Sequence, residues 1–335
     1  MPLKPLLIAF LATLGSPAWA AGFEVRTMRD ALPSREIERT LVIGKGWLEL
    51  GLIHDHKGAD GYWDAEGKAQ DFDSAEWLYT TQRAAVRYGI ARRAELFWTV
   101  RTHYVHLEND KLGTDTSQFG FGDPEFGYIH ELYRSTAPLT SVVGKVWYKA
   151  PAANESPGNY VGGPNTFNSV VLTTGTPDLA AGIEGKRQFG PIAVRLGMSY
   201  LHRIPRVVMY LIETENSQFQ ARIKPGDLAQ YDAEAMLQLG PAVLRSAWKM
   251  TQRGKTLIGT PSQGLFADQN LKAVADSDGV AVDMRNGIML QLSKGVDVSF
   301  DMSVPLQGED LQFFPIEDIH PTRGTTYSSA LELRY

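Results

Sequence analysis

The chain contains no cysteine in its 335 residues. Disulfides are therefore excluded as a source of stability, although exported proteins are free to use them. Beyond the amino terminus there is no apolar run of about 18 residues, which excludes a bundle of membrane-spanning helices. The formal net charge of -5 leaves no basic footprint for nucleic acid. Two motifs are also missing. No G-x-S-x-G marks a nucleophile elbow. The run Asp276-Ser277-Asp278-Gly279 places its glycine too early for a calcium loop. None of these chemistries implies a cofactor.

The amino terminus does carry a signal. Lys4 precedes an apolar run from Leu6 to Leu14, a Gly15-Ser16-Pro17 break and Ala18-Trp19-Ala20. This order of basic, apolar and small residues predicts a secretory signal peptide over residues 1–20, cut after Ala20. Residues 21–40 are polar, with Arg26, Arg29, Asp30, Arg35, Glu36, Glu38 and Arg39 around Pro33. They read as a periplasmic lead-in or as a small plug tucked into a lumen, and both readings stand.

From residue 41 to 335 the pattern has period two. At the carboxyl terminus, Tyr335, Leu333, Leu331, Ser329 and Tyr327 alternate with Arg334, Glu332, Ala330 and Ser328. One face is greasy and the other charged or small, as in a β-strand. Eleven earlier segments repeat the alternation. For example, Leu96, Trp98, Val100 and Tyr104 oppose Glu95, Thr99, Arg101 and His103, and Ile192, Val194, Leu196 and Met198 oppose Arg195, Gly197 and Ser199. Very short turns, such as Ala91-Arg92, Gly190-Pro191 and Gly240-Pro241, alternate with long polar loops near residues 55–73, 107–121, 151–176, 203–226, 254–278 and 308–323.

An all-strand chain crosses hydrocarbon only when every backbone group is paired, which requires closure. The fold class predicted is all-β: a transmembrane antiparallel up-and-down barrel of about twelve strands with short periplasmic turns and long extracellular loops. A soluble sandwich would also alternate, but the export signal, the loop asymmetry and the aromatic terminal strand argue against it. The partners implied are outer-membrane lipid and lipopolysaccharide, the barrel-insertion machinery reading residues 324–335, and a small solute.

The charges fall on the non-greasy face. Arg83, Arg87, Arg101, Glu184, Lys186, Arg195, Asp232, Glu234, Arg245, Lys249, Asp283, Arg285, Asp297 and Asp301 are all assigned to the lumen, because a lipid-facing Arg or Lys costs about 2–4 kcal/mol at the midplane. Except for Asp297, they are the pore-lining candidates, with Arg83, Arg87 and Arg101 as one basic cluster. The alternative is a lumen filled by ion pairs, since eight strands enclose packed side chains and sixteen an open channel. No catalytic residue is assigned. An outer-membrane hydrolase remains a second reading, with Ser199 and His202 approaching one rim, and a closed surface-interaction barrel a third. No metal site is assigned. His54 and His56 share a strand face near Asp55, Asp60, Asp64, Asp71 and Asp73, but the spacing suits a solvated loop, and His103 and His106 point to opposite faces.

The stretch Phe119-Gly120-Phe121-Gly122-Asp123-Pro124-Glu125-Phe126-Gly127, the opening Gly44-Lys45-Gly46-Trp47-Leu48-Glu49-Leu50 and Pro225-Gly226-Asp227 resemble strand openings in a large family of bacterial outer-membrane barrels. That family is named for the meta-pathway of phenol degradation. The resemblance spans most of the mature chain on short glycine-based motifs. It implies a barrel related in architecture to uptake channels for hydrophobic compounds, and it carries over neither substrate nor catalytic residues. The function expected is a channel for a small, aromatic or amphipathic solute.

Overall fold

In the computed structural model, the residues described are Pro33 and residues 35–59, 61–64, 66–71, 75–109, 114–152, 176–212, 217–260, 270–273, 278–309 and 322–335. The expected signal peptide and most of residues 21–40 lie outside them.

Twelve strands build the wall: β1 (Leu48–Ala59), β2 (Ala75–Ala91), β3 (Ala94–Asn109), β4 (Glu125–Thr136), β5 (Leu139–Lys149), β6 (Asp178–Phe189), β7 (Ile192–Arg203), β8 (Leu228–Leu239), β9 (Ala242–Arg253), β10 (Gly279–Ser293), β11 (Val296–Glu309) and β12 (Thr326–Arg334). Each pairs antiparallel with the next in sequence, and β12 returns to β1, from Arg334 opposite Glu49 to Thr326 opposite Lys57. The twelve strands therefore form a closed ring. Both ends of the wall's chain lie at the short-turn end, where Tyr335 and Leu48 exchange backbone hydrogen bonds of 2.8 and 3.0 Å.

The alternation predicts the faces correctly. Leu96, Trp98, Phe126, Val146, Leu196, Met198, Trp248 and Phe300 are all exposed on the outside of the wall. Tyr133, Phe189 and Tyr335 mark the short-turn end of this belt, and Tyr104, Phe119 and Tyr200 the long-loop end. An apolar band of this size with aromatic borders is the surface a bilayer requires. One irregularity serves the pattern. A bulge between Glu131 and Tyr133 puts both Leu132 and Tyr133 outside and brings Arg134 back inside, 2.7 Å from Glu131.

Several expected loops contain more β-structure than the alternation revealed. Residues Thr114–Phe121 form a strand on the outer half of β3, so that β4 pairs with β3 only over six residues, Ala94 to Thr99. The glycine motif therefore spans the end of this loop strand, a bend at residues 122–124 and the entry into β4 at Glu125. At Gly122 a Cβ would lie 2.2 Å from His103 Nε2, so only glycine lets the bend pass so close to β3. Residues Arg206–Ile212, Ser217–Lys224, Leu257–Gly259 and Lys272–Ala273 form a second sheet beyond the wall. Gly61–Trp63, Ala69–Asp71 and Thr322–Arg323 form a third at the mouth.

Candidate functional site in the lumen

Within the short-turn end of the barrel sits the described part of the amino-terminal segment. Glu36–Glu38 makes one 3-10 turn. Ile37 is fully buried against Ala193, Met236, Val243 and Met289, inward residues of β7 to β10. Val42 packs with Ile129 and Val143 on the other side, beside Leu41 and Phe97. The segment thus spans between opposite arcs of the wall.

Polar contacts latch it. Arg39 donates to Asp297 at 2.7 Å and pairs with Glu36, while Arg334 pairs with Asp297 and reaches Glu49 at 2.5 Å. Arg87 binds Glu49 at 2.7 Å and Glu95 at 2.8 Å, and donates to the Leu41 carbonyl at 2.7 Å. Glu95 also accepts from the Ile43 amide at 2.8 Å. Lys186 spends its ammonium on the Glu36 and Arg39 carbonyls at 3.0 and 3.1 Å. Segment and wall also approach at Gly89, whose Cβ would be 1.9 Å from the Gly44 carbonyl oxygen. Gly46, at φ +79°, makes the sharp exit into β1.

Beside the segment, and lined in part by it, is a cavity of about 700 Å³ whose lining includes Trp47, Phe97, Trp147, Arg87, Arg195, Glu184, Glu234 and Arg245. Arg195 lies 2.5 Å from Glu184 and 3.5 Å from Glu234, and Lys145 also pairs with Glu184. Asp301 takes two bonds from Arg245, at 2.6 and 2.8 Å, and one from Arg285 at 2.7 Å. Toward the mouth, Trp63 reaches across to the inward cluster Ala180, Leu201 and Leu228 on β6 to β8, beside Trp147. Arg323 lies over its ring at 6.0 Å and binds Asp71 at 2.8 Å.

In the mouth hairpin, the Gln70 side chain and the Lys68 amide, each at 2.7 Å, hold the Asp64 carboxyl below its ordinary pKa. A depressed carboxyl stabilises above its unfolded pKa and loses that contribution as pH falls through the folded value. Acid therefore weakens the contacts that Asp64 makes in this hairpin.

No family model matches the sequence, and no curated protein is similar to it in sequence. Solved structures are similar in fold. An outer-membrane channel from Pseudomonas putida F1 superposes with a TM-score of 0.64 at 11% identity, covering 91% of this chain and 100% of that one. The fold is that of an outer-membrane barrel. The transport unit of the autotransporter AIDA-I from Escherichia coli, at 8% identity and a TM-score of 0.46, covers 95% of this chain and 97% of that one.

In this barrel all thirteen pore-lining candidates project inward, as their register partners show, but they do different work. Arg87 and Lys186 are bound to the luminal segment. Arg83 and Arg101 are direct cross-strand neighbours, whereas Arg87 lies four residues away between two carboxylates. The expected single cluster of three is therefore a pair and a latch. Arg101 is tied to Glu125 at 2.6 Å, and Arg83 has Asp55 at 3.9 Å. Asp232 and Lys249 face each other on β8 and β9, with Asp283 next across on β10. Ser199 points inward and His202 outward on β7, where His202 meets Asp227 at 3.3 Å instead. His103 is buried inside against the Tyr79 hydroxyl at 2.6 Å, and His106 is on the opposite face.

Sequence reasoning passed over Glu49, Glu95 and Arg334. Each was legible as an inward charge near a strand end, but not as the partner of a distant segment. It also passed over Gly287, where a Cβ would lie 1.9 Å from Asp301 Oδ1. The missing side chain is what lets Asp301 lie between Arg245 and Arg285. Gly287→Ala should expel that carboxylate and cost about 1–3 kcal/mol as its hydrogen bonds are lost, read as a lower urea midpoint in lipid vesicles.

Proposed function

We propose that this chain is a gated outer-membrane channel for a small amphipathic or aromatic solute. It is exported by residues 1–20, cleaved after Ala20, and inserted through the terminal strand over residues 324–335. The short-turn end faces the periplasm and the long loops face outward, the arrangement usual for such barrels. The observation that carries this reading is the 700 Å³ cavity inside a closed wall, lined in part by a segment that ion pairs, hydrogen bonds and a few apolar side chains hold in place. A lumen packed for stability alone would have no such space. The aromatic side chains Trp47, Phe97 and Trp147 among the cavity's charges suit a solute with both polar and apolar parts. The glycine motifs resembling the phenol-degradation barrel family and the fold shared with a known channel are consistent with this role.

The test is conductance of the refolded mature protein in planar bilayers, together with liposome swelling. Discrete openings and solute entry are expected. A protein that stays silent both intact and without residues 35–43 would be a closed structural barrel.

A further inference from the structure

Carboxylates and guanidiniums in the lumen do not lie at the same depth. The Arg83, Arg195 and Arg285 side chains are 37%, 43% and 47% exposed to the interior water, while their partners Asp55, Glu184 and Asp301 are 26%, 8% and 2% exposed. The acids are recessed against the wall and the cations stand over them. Arg285 and Arg195 lie on one cross-strand row, passing from Arg285 to Ala247, Glu234 and Arg195 over β10, β9, β8 and β7. Arg83 comes from β2, within electrostatic reach of Arg285. Asp232 and Asp283 are counter-charges on either side of Lys249, and Lys57 is a second cation within electrostatic reach of Asp283. At these three positions the surface that a passing solute meets is therefore cationic, although the wall as a whole carries both signs. Fixed charge at a constriction selects ions by sign, and a planar guanidinium matches a carboxylate in shape.

We propose that Arg83, Arg195 and Arg285 form an anion-selecting site and that the solute carries a carboxylate. This rests on the channel reading and names the chemical class of its solute.

The experiment measures reversal potential in a KCl gradient, and block of the chloride current by benzoate, for the intact protein and for R83Q/R195Q/R285Q. Both are also recorded without residues 35–43 if the intact channel is closed. Glutamine keeps the bulk, and the acids retain partners: Lys145 for Glu184 and Arg245 for Asp301. Anion selectivity is expected in the parent. The triple variant should lose it, with the chloride-to-potassium permeability ratio falling roughly tenfold as three positive charges leave the pore. Benzoate should block the parent at concentrations where benzyl alcohol does not, and the variant should lose that block. A conducting parent that is cation-selective, or a ratio unmoved by the triple variant, overturns the carboxylate assignment while leaving the channel intact. Absence of any current, with and without residues 35–43, overturns the channel reading itself.

Discussion

Replacing Ile37 with Asp should open the barrel. Ile37 is fully buried among Ala193, Met236, Val243 and Met289, and burying such a side chain contributes about 1.5–3 kcal/mol. An aspartate there would lose that contribution and place a carboxylate in an apolar nest, where an unsatisfied polar group costs a further ~1–3 kcal/mol. The sum moves the docked-to-released equilibrium of the segment by roughly 10²- to 10⁴-fold, since 1.4 kcal/mol is a factor of ten. The wall strands do not depend on Ile37 for their ladder, so the barrel should remain folded, as strand content and resistance to unfolding on gels would show. In planar bilayers the variant should pass from rare to persistent opening. Deleting residues 35–43 should give the same persistent state and show that release, rather than distortion, is the cause. If Ile37→Asp leaves open probability where it was, the solute path does not run past this segment.

Ile37 also shows why part of this molecule is readable from sequence and part is not. A wall strand carries its own evidence: its period of two sorts Leu196 from Arg195 without reference to any other segment. Strand number, faces and turns follow from such local signals, and closure follows from the hydrogen-bond demand of hydrocarbon. The luminal segment has no period. Its six charged or apolar anchors, among them Ile37, Arg39 and Val42, find their partners far along the chain, with Arg39 meeting Asp297 at a separation of 258 residues. Nothing local distinguishes a lead-in from a plug. The same limit applies to Arg83, Arg87 and Arg101. Alternation puts all three inside, but only the packed structure shows that Arg87 is held by Glu49 and Glu95, while Arg83 faces the water. The mouth was misread for a different reason: Thr114–Phe121 is rich in polar residues, and Gly61–Trp63 is three residues long and too short to show a period.

The second large effect depends on a single step along β7. Leu196 is 58% exposed on the outside of the wall near the middle of its strand. Gly197, the next residue, points inward, and a Cβ there would lie 3.7 Å from Asp232 and 3.9 Å from Glu184. An arginine at position 196 enters hydrocarbon, where it costs about 2–4 kcal/mol at midplane depth. At position 197 the same side chain enters the wet lumen beside Asp232 and Glu184 and should cost under about 1 kcal/mol once its ion pairs and lost rotamer freedom are balanced. Reversible urea unfolding in phospholipid vesicles should therefore separate the two variants by at least about 1 kcal/mol, with Leu196→Arg the weaker. The comparison holds length, strand and substituted side chain constant and changes only the face. Equal losses at both positions, or a greater loss at Gly197, would mean that the outer belt of Leu196, Met198 and Trp248 lies against something other than lipid. The charged interior would then no longer be a pore wall.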